Sequence, residues 1–231
     1  MKLGIILPIY NEKEHIEELI KKLLEIENSE VIIVDDSNDE TVKILNNLSK
    51  NNSKIHFIHN NKRLGRGGSG IKGFKYAINL DFDNIIEMDG DLSHDPKYIS
   101  NIISLLENKA DVVIGSRFLK GGELKNRGFI RNLITQIAKY YINLSLNLKL
   151  TDPTSGFRGF NKNIIKSILP NLKAKDPFII SEVLFFCKKH GFTIKETPII
   201  FNDRSKGKSK LKFSTLITYP FRLLKLKIGL N

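Results

Sequence analysis

The chain contains a single cysteine, Cys187, and no tryptophan among its 231 residues. One cysteine excludes an internal disulfide framework and a zinc site built from several thiolates, and it favours a buried structural thiol in a reducing compartment. No stretch has the roughly 18 consecutive apolar residues that a membrane-spanning helix needs. The N-terminal segment MKLGIILPIYNE becomes charged too early for a signal peptide. The sequence therefore predicts a protein that is soluble or lies on a membrane surface.

Acidic residues are also in the minority, with 25 Asp and Glu against 37 Lys and Arg, a net charge of +12. Such an excess favours an anionic partner, which could be a nucleic acid, a phosphorylated substrate or an anionic membrane. The basic residues form neither a recognition helix nor an aromatic RNA-binding platform, and the acids cluster after apolar runs. We therefore expect no nucleic-acid partner and favour phosphorylated substrates, although a basic nucleic-acid-binding protein remains the alternative from a different class.

Short apolar runs alternate with amphipathic helical patterns through the first half of the chain. The runs are LGIILPIY, EVIIVDD, KIHFIHN, NIIEMDGD and ADVVIGSRF. This alternation predicts an α/β fold with a mainly parallel central sheet flanked by helices. In the second half, residues 130–150 have the pattern of a long amphipathic helix, and residues 213–231 form an apolar segment with basic edges.

The glycines of GRGGSGIKGF, residues 65–74, match the dinucleotide-binding pattern G-x-G-x-x-G. That fingerprint requires a tight turn directly after a strand, followed by a helix. Here NNKRL separates the predicted strand KIHFIH from Gly65. The spacing therefore favours a basic loop leading into a helix over a dinucleotide site.

Carboxylates follow several of the predicted strands, and the carboxyl ends of parallel strands meet at one edge of a sheet. Asp35 and Asp36 end the second run, and Asp89 and Asp91 end the fourth. Residues two apart in an extended segment share a face, so Asp89 and Asp91 can address one hard divalent ion, Mg²⁺ or Mn²⁺. The alternatives are an Asp-rich strand-end turn for this pair and helix capping for Asp36. His94, close by, is more typical of a surface turn than of a metal ligand.

An ordered set of motifs, which spans nearly the whole chain, is more specific than any one of them. The set is PIYNE, VDDSNDET, RLGRGGSGIKGF, MDGDLSHDP, VVIGSRF, TDPTSGFRGF and NDRSKGKSKL. It resembles the dolichyl-phosphate (polyprenyl-phosphate) mannosyltransferases, which are family-2 glycosyltransferases of GT-A fold. The resemblance implies a GT-A catalytic domain over 1–212, with an interfacial helix at 130–150 and an amphipathic basic C-terminal segment at 213–231. It also places the glycines in the family's loop between the third strand and its helix.

The activity implied by the resemblance is metal-dependent, inverting transfer of mannose from GDP-mannose to dolichyl or polyprenyl phosphate. The alternative within the same class is a polyprenyl-phosphate glucosyltransferase that uses UDP-glucose. The implied partners are a nucleotide-sugar donor, the lipid phosphate and a membrane surface on its cytoplasmic face, with room for a separate membrane-anchoring subunit. Because a phosphate acceptor is already anionic near neutral pH, such an enzyme needs no strong general base.

Carried over residue by residue, the resemblance places donor-binding groups after the first two strands and after the fourth. The residues implied for the nucleotide-sugar pocket are Pro8, Tyr10, Glu12, Val34 and Asp36. Of these, Val34 and Asp36 would lie beside the base or ribose. Asp89, Gly90 and Asp91 match the D-x-D motif that holds Mg²⁺ or Mn²⁺ on the diphosphate, and Asp91 is also a candidate catalytic residue. Ser93 follows where some relatives have glutamine, which leaves its role open.

The same resemblance assigns the phosphates to four basic residues. Arg117 and Arg131 are the candidate catalytic cations, Arg117 for the sugar diphosphate or acceptor phosphate and Arg131 for the acceptor phosphate. Arg204 and Lys210 match the family's basic loop, which closes over the phosphates of the bound substrate.

Overall fold

The computed structural model describes residues 1–203 and 213–229, and for 213–217 it describes the backbone alone. Nine strands are found in this part of the chain. They are β1 (Leu3–Ile9), β2 (Ser29–Asp35), β3 (Ile55–His59), β4 (Asn84–Glu87), β5 (Val112–Ser116), β6 (Glu123–Lys125), β7 (Arg158–Asn161), β8 (Ile194–Pro198) and β9 (Ile200–Asn202). Seven of them form one sheet in the order β3-β2-β1-β4-β7-β5-β8, and β6 pairs with β9 in a separate parallel ribbon.

The large sheet is mainly parallel, as the alternating pattern predicts. β1 pairs in parallel with β2 and β4, β2 with β3, and β5 with β8. The exception is β7, which lies between β4 and β5 and runs antiparallel to both. The carboxyl ends of β1, β2, β4 and β5 therefore share one edge, called here the C-terminal edge, and β7 begins there with Arg158 opposite Glu87.

In the described residues, eight α-helices cover the two faces of this sheet. They are α1 (Ile16–Leu24), α2 (Thr41–Asn51), α3 (Gly65–Ala77), α4 (Ile99–Glu107), α5 (Phe129–Leu146), α6 (Lys162–Ile168), α7 (Ile179–Lys189) and α8 (Phe213–Lys227). Helices α1, α2 and α4 bury their apolar residues on one face, and α3 with α5 to α8 on the other. Because side chains alternate along a strand, Ile5 and Leu7 face the first core, whereas Ile6 faces the second.

The glycine-rich segment opens helix α3 instead of forming a basic loop before it. The backbone N–H groups of Gly67 and Gly68 donate to the carbonyl of Lys175, over 3.0 and 3.3 Å. A Cβ atom at Gly67 would lie 2.3 Å from the carbonyl oxygen of Ala174. These glycines therefore let the 174–176 backbone pack directly on the start of the helix, a packing role that explains the glycine pattern without a dinucleotide.

The helix predicted at 130–150 is α5, which ends at Leu146 because Asn147 adopts a left-handed conformation with φ 50°. Ile142 and Leu146 pack into the core, whereas the opposite side is an apolar stripe open to solvent. The exposed stripe consists of Phe129, Ile130, Leu133, Ile137, Tyr140 and Leu144. The predicted C-terminal segment contains α8, which buries Leu223 and Leu226. In the described parts of the chain, no helix is both long and apolar enough to cross a bilayer.

Cys187 lies on α7 and is fully buried, as expected for a structural thiol. Burial in apolar surroundings raises the pKa of its thiol to about 12. The thiol is therefore protonated at neutral pH, and it is protected from reagents that attack the thiolate.

The core beneath α3 gives a stability prediction. Phe74 is fully buried and meets Phe160 edge-to-face, with ring centroids 5.6 Å apart. Phe74→Ala should lower the free energy of unfolding by about 3–5 kcal/mol, because it removes this contact and leaves a cavity. Urea unfolding measures the loss. Lys75→Ala, an exposed position on the same helix, is the control, and equal losses in the two variants would contradict the assignment.

Candidate active site

The turn after β1 brings the first predicted site residues to the C-terminal edge. The guanidinium of Arg63 stacks over the ring of Tyr10, 3.8 Å from its centroid. Asn11 has a left-handed φ of 55°, and its backbone N–H donates to the hydroxyl of Ser37 over 2.8 Å. Glu12 is buried at the start of the following turn. Pro8 lies within β1, and Tyr10 and Glu12 follow directly after its end.

Asp36 is engaged by the polypeptide itself. Its carboxylate accepts the backbone N–H groups of Leu64 and Gly65 at 2.8–3.1 Å, together with the side-chain amide of Asn60 and the hydroxyl of Ser69. These are the N–H groups at the start of α3 that lack a partner within the helix. Asp36 therefore secures α3 against the end of β2, and its contact with a base or ribose stays a prediction.

The two residues before Asp36 are buried. Val34 has no exposed surface and packs in the core beside Gly73, so its side chain presents nothing to a ligand. Asp35 is also fully buried, and its carboxylate pairs with Nδ1 of His59 at 2.8 Å. The donor-binding role predicted for Val34 from the family pattern stays a prediction, and it does not involve the side chain.

The segment after β4 forms a tight turn that carries Asp89 and Asp91. The backbone N–H of Ser93 donates to Oδ1 of Asp91 over 3.0 Å, and the Ser93 hydroxyl donates to the same oxygen. Ser93, whose role the sequence leaves open, thereby orients the Asp91 carboxylate. A Cβ atom at Gly90 would lie 2.0 Å from Cδ1 of Ile9, so an alanine here would require Ile9 to move.

His94 is buried, contrary to the expectation of a surface turn. Its ring lies between those of Phe157 and Phe201, with both centroid distances 5.1 Å. Burial lowers the pKa of His94, and Nδ1 accepts the backbone N–H of Asp89 over 3.3 Å. A neutral imidazole therefore fixes the backbone of the Asp89 turn.

A group of three charges lies beneath this turn, of which Glu87 and Arg158 are fully buried and Arg66 is partly buried. Glu87 has no exposed surface and bridges two arginines: Oε1 accepts Nη1 of Arg66 over 2.5 Å, and Oε2 accepts Nη2 of Arg158. Burial opposes ionisation of Glu87, but the charges of Arg66 and Arg158 outweigh it, so the pKa of its carboxyl lies below the ordinary value. The three residues tie α3, β4 and β7 together at the C-terminal edge.

Arg117, after β5, is held by a second buried acid. Its Nε and Nη2 donate to the two carboxylate oxygens of Asp152 over 2.6 and 2.8 Å, and Nη2 also donates to Thr154. Burial would raise the pKa of Asp152, but the bonds from Arg117 overcome this and lower it. The Arg117 guanidinium also lies 5.4 Å from the ring of Phe201, the same ring that covers His94.

Two further arginines lie near Arg117, around the start of α5. Nη1 of Arg131 lies 3.4 Å from Oδ2 of Asp203, and Nη1 of Arg127 lies 3.9 Å from the same oxygen. Nε of Arg127 is buried and has no hydrogen-bond partner in the described part of the chain. Burial, followed by the like charge of Arg117, lowers the pKa of Arg127. Arg117, Arg127 and Arg131, called here the arginine cluster, thus form a basic region beside the acidic turn.

The C-terminal edge therefore brings most of the predicted residues together. Asp89 and Asp91 lie on one turn, which Phe201 and His94 connect to Arg117, and Arg131 lies with the arginine cluster. Arg204 and Lys210, predicted in the phosphate-closing loop, lie outside the described residues.

The acidic turn suits a hard divalent ion completed by a ligand. Within the described residues, no group of three or more His, Cys, Asp or Glu side chains is arranged to hold a metal. Mg²⁺ is commonly bound through one or two carboxylates plus substrate phosphates, and it retains several waters. Asp89 and Asp91, partly exposed at the edge and fixed by the turn, match that donor set.

The profile of the family described as Glycosyl transferase family 2 matches residues 4–169, which carry six of the seven strands of the large sheet, the acidic turn and Arg117. The chain belongs to glycosyl transferase family 2. It is therefore a glycosyltransferase, and its mainly parallel sheet with flanking helices is the GT-A fold.

Proteins similar in sequence include two mannosyltransferases whose names contain a lipid phosphate. A dolichol-phosphate mannosyltransferase of Pyrococcus furiosus is 34% identical over 97% of this chain. This chain spans 64% of that protein's length. An undecaprenyl-phosphate mannosyltransferase of Micrococcus luteus is 31% identical over 91% of this chain and 88% of its own.

Among solved structures, glucosyl-3-phosphoglycerate synthase from Mycobacterium tuberculosis has the same fold. The complex of that synthase with Mn²⁺, UDP and glucosyl-3-phosphoglycerate aligns with a TM-score of 0.74. The alignment covers all of this chain and 81% of the synthase, at 14% identity. At this identity the likeness establishes the shared fold of this family-2 glycosyltransferase.

Several residues of the site escape prediction from sequence. Glu87, Arg158 and Asp152 lie in apolar or turn-rich stretches whose local pattern gives no sign of an ion pair. Arg66 stands among glycines that suggest a loop. Among these missed residues, Arg127 is the easiest to predict from sequence. It lies just before an amphipathic helix whose first turn contains Arg131, a candidate already.

The contacts of Asp36 give a prediction that distinguishes a structural from a purely substrate-binding role. Asp36→Ala should lower the free energy of unfolding by about 1–2 kcal/mol, because the donors at the start of α3 lose their acceptor. Asp36→Asn, which keeps one oxygen, should lose less, and Asp91→Ala should be close to wild type. Urea unfolding of the three variants tests this, and wild-type stability of Asp36→Ala would contradict it.

Proposed function

We propose that this glycosyltransferase transfers mannose from GDP-mannose to a polyprenyl phosphate such as dolichyl phosphate, with the help of Mg²⁺ or Mn²⁺. The observation that carries the proposal is the pairing of an acidic turn with the arginine cluster at one edge of the sheet. The acidic turn suits a cation bound to a donor diphosphate, and the arginine cluster suits an anionic acceptor. The names of the two lipid-phosphate relatives support the choice of substrates.

On the donor side, Asp89 and Asp91 would hold the divalent ion, which supplies positive charge for the departing nucleoside diphosphate when bound. Ser93 orients the carboxylate of Asp91, and His94 fixes the backbone of Asp89, through the hydrogen bonds described above. Pro8, Tyr10, Glu12 and Asp36 would line the nucleotide pocket.

On the acceptor side, the arginine cluster would receive the lipid phosphate. Within the described residues, its three guanidinium groups pair with two carboxylates, Asp152 and Asp203. Fixed cations suit an anion best when they need no reorganisation, and the bidentate pair with Asp152 holds Arg117 rigidly. Arg204 and Lys210 would close over the phosphates from the adjoining loop.

In the reaction, a phosphate oxygen of the acceptor forms a bond to the anomeric carbon. The bond from that carbon to the diphosphate oxygen breaks, and its electron pair leaves with the nucleoside diphosphate. The acceptor phosphate is already ionised, so no proton has to be removed and no general base is required. Attack from the side opposite the leaving group inverts the anomeric centre.

The lipid acceptor also requires that the enzyme reach a membrane surface, which we propose is the cytoplasmic face. Helices α5 and α8 contact each other. The first carries the exposed apolar stripe, and the second exposes Phe221 and Leu224 and is followed by the exposed Ile228. Lys225 and Lys227 of α8 are exposed on the same helix and can approach lipid phosphates. The two helices would lie in the interface as peripheral elements beside the catalytic domain, with or without a separate anchoring subunit.

A transfer assay tests the substrates. Labelled GDP-mannose or UDP-glucose is incubated with a short polyprenyl phosphate in the presence of Mn²⁺ or of a chelator, and the label extracted into organic solvent is counted. The proposal predicts Mn²⁺-dependent lipid labelling from GDP-mannose. Labelling from UDP-glucose alone would assign the chain to the glucosyl alternative, and labelling unaffected by chelator would refute the metal requirement.

The acidic turn gives a prediction with a matched control. Asp91→Asn should reduce transfer at least about a hundred-fold, because a group that stabilises the leaving diphosphate is typically worth about 10²–10³ in rate. Asp81→Asn, an exposed acid remote from the edge and paired with Lys2, removes the same charge and should leave transfer unchanged. Parallel loss in both variants would show that net charge, and not the turn, matters.

The stripe on α5 gives a prediction about membranes. The intact protein should float with anionic vesicles at low salt, and less so as salt is raised. The double variant Ile130→Gln/Ile137→Gln should bind at least about ten-fold more weakly, because each isoleucine contributes roughly 1.5–3 kcal/mol when it leaves water. Flotation measures the binding, and equal binding of variant and wild type would exclude the stripe.

A further inference from the structure

The charges beneath the acidic turn do not balance among themselves. Arg66 and Arg158 share Glu87, which leaves one positive charge in excess within this group. Arg66 also lies against a second carboxylate, because its Nη2 is 3.6 Å from Oδ1 of Asp89.

Geometry holds Arg66 in this bridging position. Glu87 and Asp89 are two residues apart along an extended segment and so face the same way, and the guanidinium lies across both. Nη2 also donates to the carbonyl oxygen of Gly156 over 3.5 Å. A Cβ atom at Gly156 would lie 3.0 Å from Nη2 and 3.4 Å from Oδ1 of Asp89, so a larger residue would crowd the contact.

We propose that Arg66 is a positioning residue that acts as the resident counterion of Asp89. The divalent ion then binds weakly to the donor-free enzyme and tightly once a nucleoside diphosphate is present. This inference rests on the proposed role of Asp89 and Asp91 as the metal-holding pair. The glycine-rich start of α3 then has two roles, since its glycines allow close packing and its Arg66 controls binding of the metal ion.

The physical reason is competition between like charges at a shared carboxylate. The guanidinium of Arg66 repels an incoming divalent ion. It also pairs with Oδ1 of Asp89, and so competes with the ion for that carboxylate. A bound diphosphate adds negative charge near the turn, which offsets the charge of Arg66, and it supplies further oxygen ligands to the divalent ion. Because coupling between two ligands is reciprocal, the metal should also strengthen binding of the nucleotide.

Binding of Mn²⁺ to the purified full chain, followed by the electron paramagnetic resonance of the free ion, tests the proposal without turnover. The variants are Arg66→Gln, which keeps a donor for Glu87 but removes the charge, and Arg66→Lys, which keeps the charge. Lys75→Gln removes an exposed charge from the same helix and is the control. Each is titrated with Mn²⁺ alone, with GDP and with UDP, and circular dichroism verifies its fold.

In the absence of nucleotide, Arg66→Gln should bind Mn²⁺ about ten-fold more tightly than wild type, since a neighbouring cation typically shifts a carboxylate's affinity by that order. Nucleotide should strengthen Mn²⁺ binding much less in this variant than in wild type. Arg66→Lys should be intermediate, and Lys75→Gln should lie within about two-fold of wild type.

Unchanged or weaker Mn²⁺ binding by folded Arg66→Gln would overturn the proposal about Arg66. If wild type binds Mn²⁺ in the same experiment, the proposed metal site at Asp89 and Asp91 is still supported. Failure of wild type to bind Mn²⁺ even with GDP and UDP would overturn the metal site and this inference together. If Arg66→Gln does not fold, Arg66→Lys provides the test. In that variant, nucleotide should strengthen Mn²⁺ binding by a factor within a few-fold of the wild-type factor. Loss of this strengthening in folded Arg66→Lys would contradict the proposal.

Discussion

The arrangement of the C-terminal edge depends on the burial of one carboxylate, Glu87, between the guanidinium groups of Arg66 and Arg158. A buried charge is tolerated only when it is paired and hydrogen-bonded, and removal of one partner typically costs about 3–5 kcal/mol. Glu87 has both carboxylate oxygens engaged. This requirement fixes the first turn of α3 and the first residue of β7 relative to the end of β4, and therefore fixes the platform that carries Asp89 and Asp91.

Around that platform the charges are divided into two regions. The acidic turn presents carboxylates, and the arginine cluster presents guanidinium groups held by Asp152 and Asp203. His94 and Phe201 separate them with a neutral imidazole and an apolar ring. A transferase with two anionic substrates benefits from this separation, because a cation can serve one phosphate group and fixed arginines the other without mutual neutralisation.

The parts that could be predicted from the sequence are those with a local signature. Apolar runs followed by Asp89 and Asp91 locate β4 and its turn, and the amphipathic pattern locates α5 to within a few residues. The antiparallel β7 and the Glu87 group could not be predicted, because their contacts join residues far apart in the chain, 71 positions in the case of Glu87 and Arg158. The burial of His94 could not be predicted for the same reason. It is provided by Phe157 and Phe201, which only the tertiary fold brings next to the imidazole.

The proposed reaction is direct attack of an ionised phosphate on the sugar of a nucleotide donor, from the face opposite the leaving group. The decisive measurement is nuclear magnetic resonance of the product formed from α-linked GDP-mannose and a short polyprenyl phosphate. Direct attack predicts a new phosphodiester phosphorus signal, stoichiometric GDP, and a β-configured anomeric centre. A product of α configuration, or consumption of GDP-mannose with no new phosphodiester, would contradict it.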